Sequence, residues 1–165
     1  MEQALAFSET GHLCLTTLHA NNANQALERM INFFPKDRRD QVLLDLSLNL
    51  NAIVAQQLIP TINRNAVYPA VEILLNTPLV AQLIKQGDIT ELKEAMKNST
   101  NLGMNTFDQA LFQLYQDGII SYDDALHHAD SDNDIRLMIK LAEKDEAEEE
   151  KEPLEGIRLL NIDEI

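Results

Sequence analysis

His19 is the residue of this chain whose type and position most invite chemistry. It follows the apolar run Leu13-Cys14-Leu15-Thr16-Thr17-Leu18 and precedes Asn21-Asn22, a helix-start signal, so it is predicted where a buried strand gives way to a helix. Open α/β sheets bind ligands outside the carboxyl ends of their strands. An imidazole there can hydrogen-bond a terminal phosphate and register its presence; it can equally be a helix-capping or core histidine. His12 precedes the same run. Seven residues of extended chain span roughly 23 Å, so His12 and His19 are expected at opposite sheet edges, unable to share one metal or one phosphate. His127 and His128 are adjacent on a predicted helix and point in different directions, which makes them poor joint ligands.

Other machinery is missing from the sequence. There is no G-x-S-x-G, no second cysteine and no H-E-x-x-H. None of Gly11, Gly87, Gly103, Gly118 and Gly156 is followed by lysine or spaced for the G-x-x-x-x-G-K loop that cradles phosphates. The single cysteine, Cys14, cannot form an internal disulfide and is expected to be a small buried hydrophobe, in keeping with a reducing compartment. A formal net charge of -14 opposes a nucleic-acid partner, whose backbone demands Lys and Arg. The first residues carry no basic targeting region, and no apolar run has the length of a membrane span. A hydrophobic content of 45% over 165 residues is that of a folded globular chain with an aliphatic core.

The elements that must position His19 follow from pattern. Residues 2–8 predict the end of a helix, broken at Gly11, and residues 12–18 do not alternate cleanly, as in a parallel strand covered on both faces. Helices are predicted over 23–33, stopped by Pro35, and over 37–55. A hairpin is predicted from 57–62 and 67–75 around Asn63-Arg64-Asn65, with Pro60 and Pro69 marking sheet edges. Beyond Leu75 only helices are expected, over 78–86, 90–97, 106–117, 121–129 and 133–142. Thr77-Pro78 and Ser121 with Asp124 supply starts, and Gly87 and Gly118 supply stops. The acidic run 143–152 repels itself and is expected to be disordered. Residues 154–165 are either a short apolar docking element or a frayed end.

Several ordered blocks carry a resemblance. Met1-Glu2-Gln3-Ala4-Leu5-Ala6, Glu9-Thr10-Gly11-His12-Leu13 and Thr17-Leu18-His19-Ala20-Asn21-Asn22-Ala23 resemble the His box of type IV pilus retraction ATPases, the PilT and PilU family. Arg29-Met30-Ile31-Asn32-Phe33-Phe34-Pro35, Ala55-Gln56-Gln57-Leu58, Glu72-Ile73-Leu74-Leu75-Asn76-Thr77-Pro78 and Leu102-Gly103-Met104-Asn105-Thr106-Phe107-Asp108 continue it, so that it covers 1–141. Where PilT-like members carry A-I-R-N-L-I-R-E, this chain has Leu79-Val80-Ala81-Gln82-Leu83-Ile84-Lys85-Gln86. That departure, and the acidic extension, are more like the PilU branch.

The resemblance implies an α/β fold: the C-terminal part of a RecA-like ATPase core with its His box at 1–75, a helical C-terminal region at 76–142, and an acidic tail at 143–165. The family's Walker A lysine, Asp box and Walker B motif are expected upstream of Met1, so this chain is expected to be incomplete for ATP hydrolysis. ATP and Mg2+ belong to the complete protein, and neither is expected to bind well here. The family's γ-phosphate-sensing role falls on His19, and on His12 unless that residue serves a subunit contact. A cytoplasmic homo-hexamer is implied, peripheral to the inner membrane, with a PilT-like motor and the pilus platform as partners. Val80, Leu83 and Ile84 form a helix face that is either core or a partner surface. In the second case the chain could be a non-enzymatic helical module docking on the motor. Arg29 is a candidate subunit bridge, or a solvent-facing arginine. Neighbours of the strand 12–18 are expected outside this chain, so exposed edges and self-association are expected too.

Overall fold

Side-chain caps set several of the helix starts. Asn22 accepts a hydrogen bond from Gln25 N at 2.9 Å and opens α2, Ala23–Asn32. Thr77 opens α4, Pro78–Gln86, and Ser121 opens α7, Tyr122–His127, each by accepting from the amide three residues on. Thr106 and Gln109 form a reciprocal capping box at α6, Phe107–Gln116. Gly87 stops α4 with φ of 79°, a left-handed conformation that a side chain would strain. The computed structural model describes residues 1–149. Its other elements are α1 (Glu2–Glu9), α3 (Arg39–Asn49), β1 (Ala52–Pro60), β2 (Val67–Leu75), α5 (Leu92–Lys97) and α8 (Asp132–Glu149).

β1 and β2 form an antiparallel hairpin in register from Ala52↔Leu75 to Pro60↔Val67. Ala70, Glu72 and Leu74 alternate onto its buried face. Two cores meet that face. Leu74 joins a cluster from α2, α3, α4 and α5 that includes Leu27, Val42, Ile84, Leu92 and Met96. Ile59 and Ala70 join a second cluster of Phe107, Leu111, Ile120, Ala125 and Ile135, from α6 to α8. The first cluster draws on both sides of the compositional boundary at residue 75, so packing is continuous across it.

Three expectations are corrected. The helix predicted over 37–55 stops at Asn49, because residues 52–55 are claimed by the ladder to β2, and Ile53-Val54 suit a strand as well as a helical stripe. The strand predicted over 12–18 is not formed among the described residues. Leu13 and Leu15 are 75% and 89% exposed, and Cys14 is exposed rather than buried, because no neighbouring strand offers a ladder. The disorder expected from residue 143 gives way to helix through Glu149: Glu, Lys and Ala are good helix formers, and α8 is already nucleated where Ile135 and Ile139 dock. The rest of the acidic tail, with the apolar element at 154–165, lies outside the described residues.

Candidate functional site

The start of α2 is the best-anchored place near a candidate chemical residue. Ala23 N donates to Glu72 Oε1 at 2.7 Å, and Phe107 N donates to Glu72 Oε2 at 3.3 Å. One carboxylate, 1% exposed, therefore receives the first amides of two helices far apart in sequence. The geometry depends on β2 running beside Asn105. Ile73 N donates to Asn105 O and Asn105 N to Ile73 O, which delivers α6 to the side of Glu72. Burial pushes the Glu72 carboxyl above its ordinary range, partly countered by the two amide hydrogen bonds, which favour its charged form.

A second chain of bonds runs alongside. Asn22 Nδ2 donates to Asp130 Oδ1 at 3.3 Å, and Asp130 also pairs with Lys93. Asp108 Oδ1, on the first turn of α6, accepts from Asp130 N at 2.8 Å and from Ser131 N at 3.4 Å. Burial is again the main influence on Asp108 and raises its carboxyl. Glu72 and Asp108 escaped the sequence reading. The available signal was position: Glu72 shares period 2 with the inward Ala70 and Leu74, where a carboxylate needs hydrogen-bond partners.

His19 is exposed three residues before Asn22, in a turn where Ala20 N donates to Leu18 O at 3.0 Å. Its ring thus stands free just ahead of a pinned helix N-terminus, an end that favours negative charge. His12 has a different setting. Its ring meets Phe7 edge-on at 5.9 Å, and its Nδ1 lies 3.0 Å from Thr10 Oγ1, at the end of α1. It also lines an open groove of about 840 Å³ between residues 11–18 and β1. The two histidines are not brought together. The rings of His127 and His128 touch at 5.1 Å, nearly perpendicular, and among the described residues no group of three or more His, Cys, Asp or Glu could hold a metal ion.

The partner-surface reading of α4 is corrected. Val80 and Ile84 are fully buried in the first core, and Leu83 is half-buried against it, because α4 lies on α3 and covers that apolar stripe. The helical docking module built on these three residues falls with it. Arg29 is exposed on α2.

With this geometry established, similarity to known proteins places the chain. The family described as type II/IV secretion system protein matches residues 1–113. The type IV pilus ATPase PilU of Pseudomonas aeruginosa is 61% identical over 159 residues, 96% of this chain and 42% of the relative. The type IV pilus retraction ATPase PilT of the same organism is 34% identical over 76% of this chain and 36% of its own length. Among solved structures, the pilus retraction motor PilT with bound ADP superposes with a TM-score of 0.73 at 30% identity, over 82% of this chain and 37% of that one. The Legionella pneumophila ATPase DotB, at 22% identity and a TM-score of 0.63, shares the fold. The chain thus spans less than half the length of these relatives, and the family match at 1–113 spans the positions of His12, His19, Glu72 and Asp108. It belongs to the type II/IV secretion system protein family.

Proposed function

We propose that this chain supplies the His-box phosphate sensor and the helical region of a PilU-like type IV pilus retraction ATPase, and turns over no ATP by itself. The observation that carries this reading is the exposed His19 ring directly ahead of the pinned start of α2, inside a segment similar to relatives named as pilus ATPases. In that role the imidazole donates a hydrogen bond to the terminal phosphate of ATP, and its loss on hydrolysis is felt by α2. The triphosphate itself would be cradled by another part of the complete motor, because no glycine of this chain forms a G-x-x-x-x-G-K loop. Mg2+ would likewise be held elsewhere.

The exposed apolar surface supports a larger assembly. Leu13, Leu15, Val54 and Leu58 are more than half exposed beside the groove or on the outer hairpin face, and surface of that kind marks an interaction site. We assign it to the ATPase core of a hexameric motor working with a PilT-like partner at the inner-membrane pilus platform. The test is His19→Ala in the complete motor. ATP turnover is expected to fall roughly a hundredfold, as when one transition-state hydrogen-bond donor is removed, and twitching motility with it. Unchanged turnover would remove the sensor role. ATP hydrolysis by this chain alone, abolished by His19→Ala, would overturn its assigned incompetence.

A further inference from the structure

We propose that Glu72 is the positioning residue of the His19 segment, tying the start of α2 to the start of α6 so that the sensor keeps a fixed place relative to the helical region. This rests on the reading of His19 as a phosphate sensor. A carboxylate buried between two apolar clusters is a costly choice, since an apolar side chain of similar size would fill the space without desolvating a charge. What the carboxylate adds is two acceptors on one rigid plane, one for Ala23 N and one for Phe107 N. If α2 shifts against α6, one of those bonds must lengthen. The link from Asn22 through Asp130 to Asp108 resists the same displacement by a separate route.

The lever to His19 is short. Only Ala20, Asn21 and Asn22 separate it from Ala23, and Asn22 is buried and committed as the helix cap. On the other side of His19, Leu18 packs partly buried against the first core, and residues 11–17 beyond it are exposed throughout. The hydrogen-bonded hold on the sensor is therefore from its C-terminal side, by Glu72, and the same carboxylate is the route by which a pull on His19 would reach α6.

The experiment is amide hydrogen exchange and imidazole NMR on this chain, unmutated, as Glu72→Gln, and as Ile135→Val. Glutamine keeps the volume and one acceptor but turns an NH2 toward the second amide. Exchange at Ala23 or Phe107 is expected to accelerate about tenfold or more, the scale of losing one hydrogen bond to a charged group. The His19 ring resonances should shift or broaden with it. Ile135→Val loosens the second core, which Phe107 shares, without touching Glu72, and should leave the Ala23 amide and the His19 ring unmoved. If the two variants alter exchange and the His19 ring alike, Glu72 is only a stability residue and the proposal fails. Should Glu72→Gln not fold, the unmutated chain decides. Its Ala23 amide must exchange far more slowly than amides in 12–17, and equal rates overturn the assignment. Failure of the sensor reading is separate: it shows as unchanged turnover in the His19→Ala motor, whatever Glu72 does to exchange.

Discussion

Two apolar stretches of this chain, residues 12–18 and α4, have opposite fates. Leu13 and Leu15 stand 75% and 89% exposed, whereas Val80 and Ile84 are fully buried. The first was expected to be a covered strand, and the second stood evenly between core and partner surface. The difference lies in what each element needs from the rest of the molecule. A helix satisfies its own backbone and needs only one apolar neighbour, which α3 supplies to α4. A strand satisfies nothing alone, and among the described residues no ladder partner reaches 12–18.

The sharpest way to break this contrast is a pair of truncations. Ile84→Ala should cost about 2–5 kcal/mol, since a buried isoleucine leaves a cavity in a core that only partly collapses. Leu15→Ser should stay within about 0.5 kcal/mol, the range of surface changes. Urea denaturation of both measures the gap. Equal losses would mean that 12–18 is packed in solution. The same Leu15→Ser change, combined with Leu13→Ser, should reduce concentration-dependent self-association in sedimentation, because it removes apolar surface beside the groove. An unmutated chain that stays monomeric at high concentration would leave that surface without a driving force.

What was legible in the sequence divides along the same line. The start and stop of α4 were readable to the residue because Thr77, Pro78 and Gly87 act within one turn of chain. Asn22, one of two candidate caps, proved to be the cap of α2, and the helices beyond Leu75 fell within a few residues of their predicted places except for the end of α8, which runs on to Glu149. Long-range pairing set the misses. Residues 52–55 look helical until β2 is beside them, and the fate of 12–18 depends on a neighbour that no local pattern can supply. At the site, His19 was readable from its place before Asn22. Its anchor was not, since Glu72 meets Ala23 and Phe107 only once the hairpin and both helices have assembled.

The contrast sharpens further at the heads of α2 and α6, both tied to Glu72. Asn22→Ala should cost about 0.5–2 kcal/mol for the lost cap, with the bond to Asp130 lost as well. Thr106→Ala removes half of a capping box that lies wholly within α6, and the cost should be of similar size, about 1 kcal/mol. The discriminating readout is local. Asn22→Ala should speed exchange in the His19 turn and Thr106→Ala should not. A reversed pattern would place the hold on His19 at α6 rather than at its own helix.

The smallest expected effect is on pH dependence, and it sets the buried acids against the exposed ones. Burial raises Glu72 above its ordinary 4.5 and Asp108 above its ordinary 3.8, so folding favours their protonated forms. Their contribution is fully present below those ordinary values and is lost as pH rises through the raised ones. Glu2 and Asp134 run the other way. The hydrogen bonds from Arg38 and Lys97 hold them low, so their contribution is present above 4.5 and 3.8 and is lost as pH falls through the lowered values. Both pairs are at least a third open to solvent, which screens them, and they carry little. Stability should therefore decline from mildly acid toward neutral pH, and the chain's growing negative charge adds to that slope. Glu72→Gln and Asp108→Asn should each flatten the decline in urea midpoints measured above pH 4.5, while Glu2→Gln should leave it unchanged. A slope left undiminished by both buried substitutions would mean that water reaches these carboxylates, and that the head of α2 is looser than its hydrogen bonds imply.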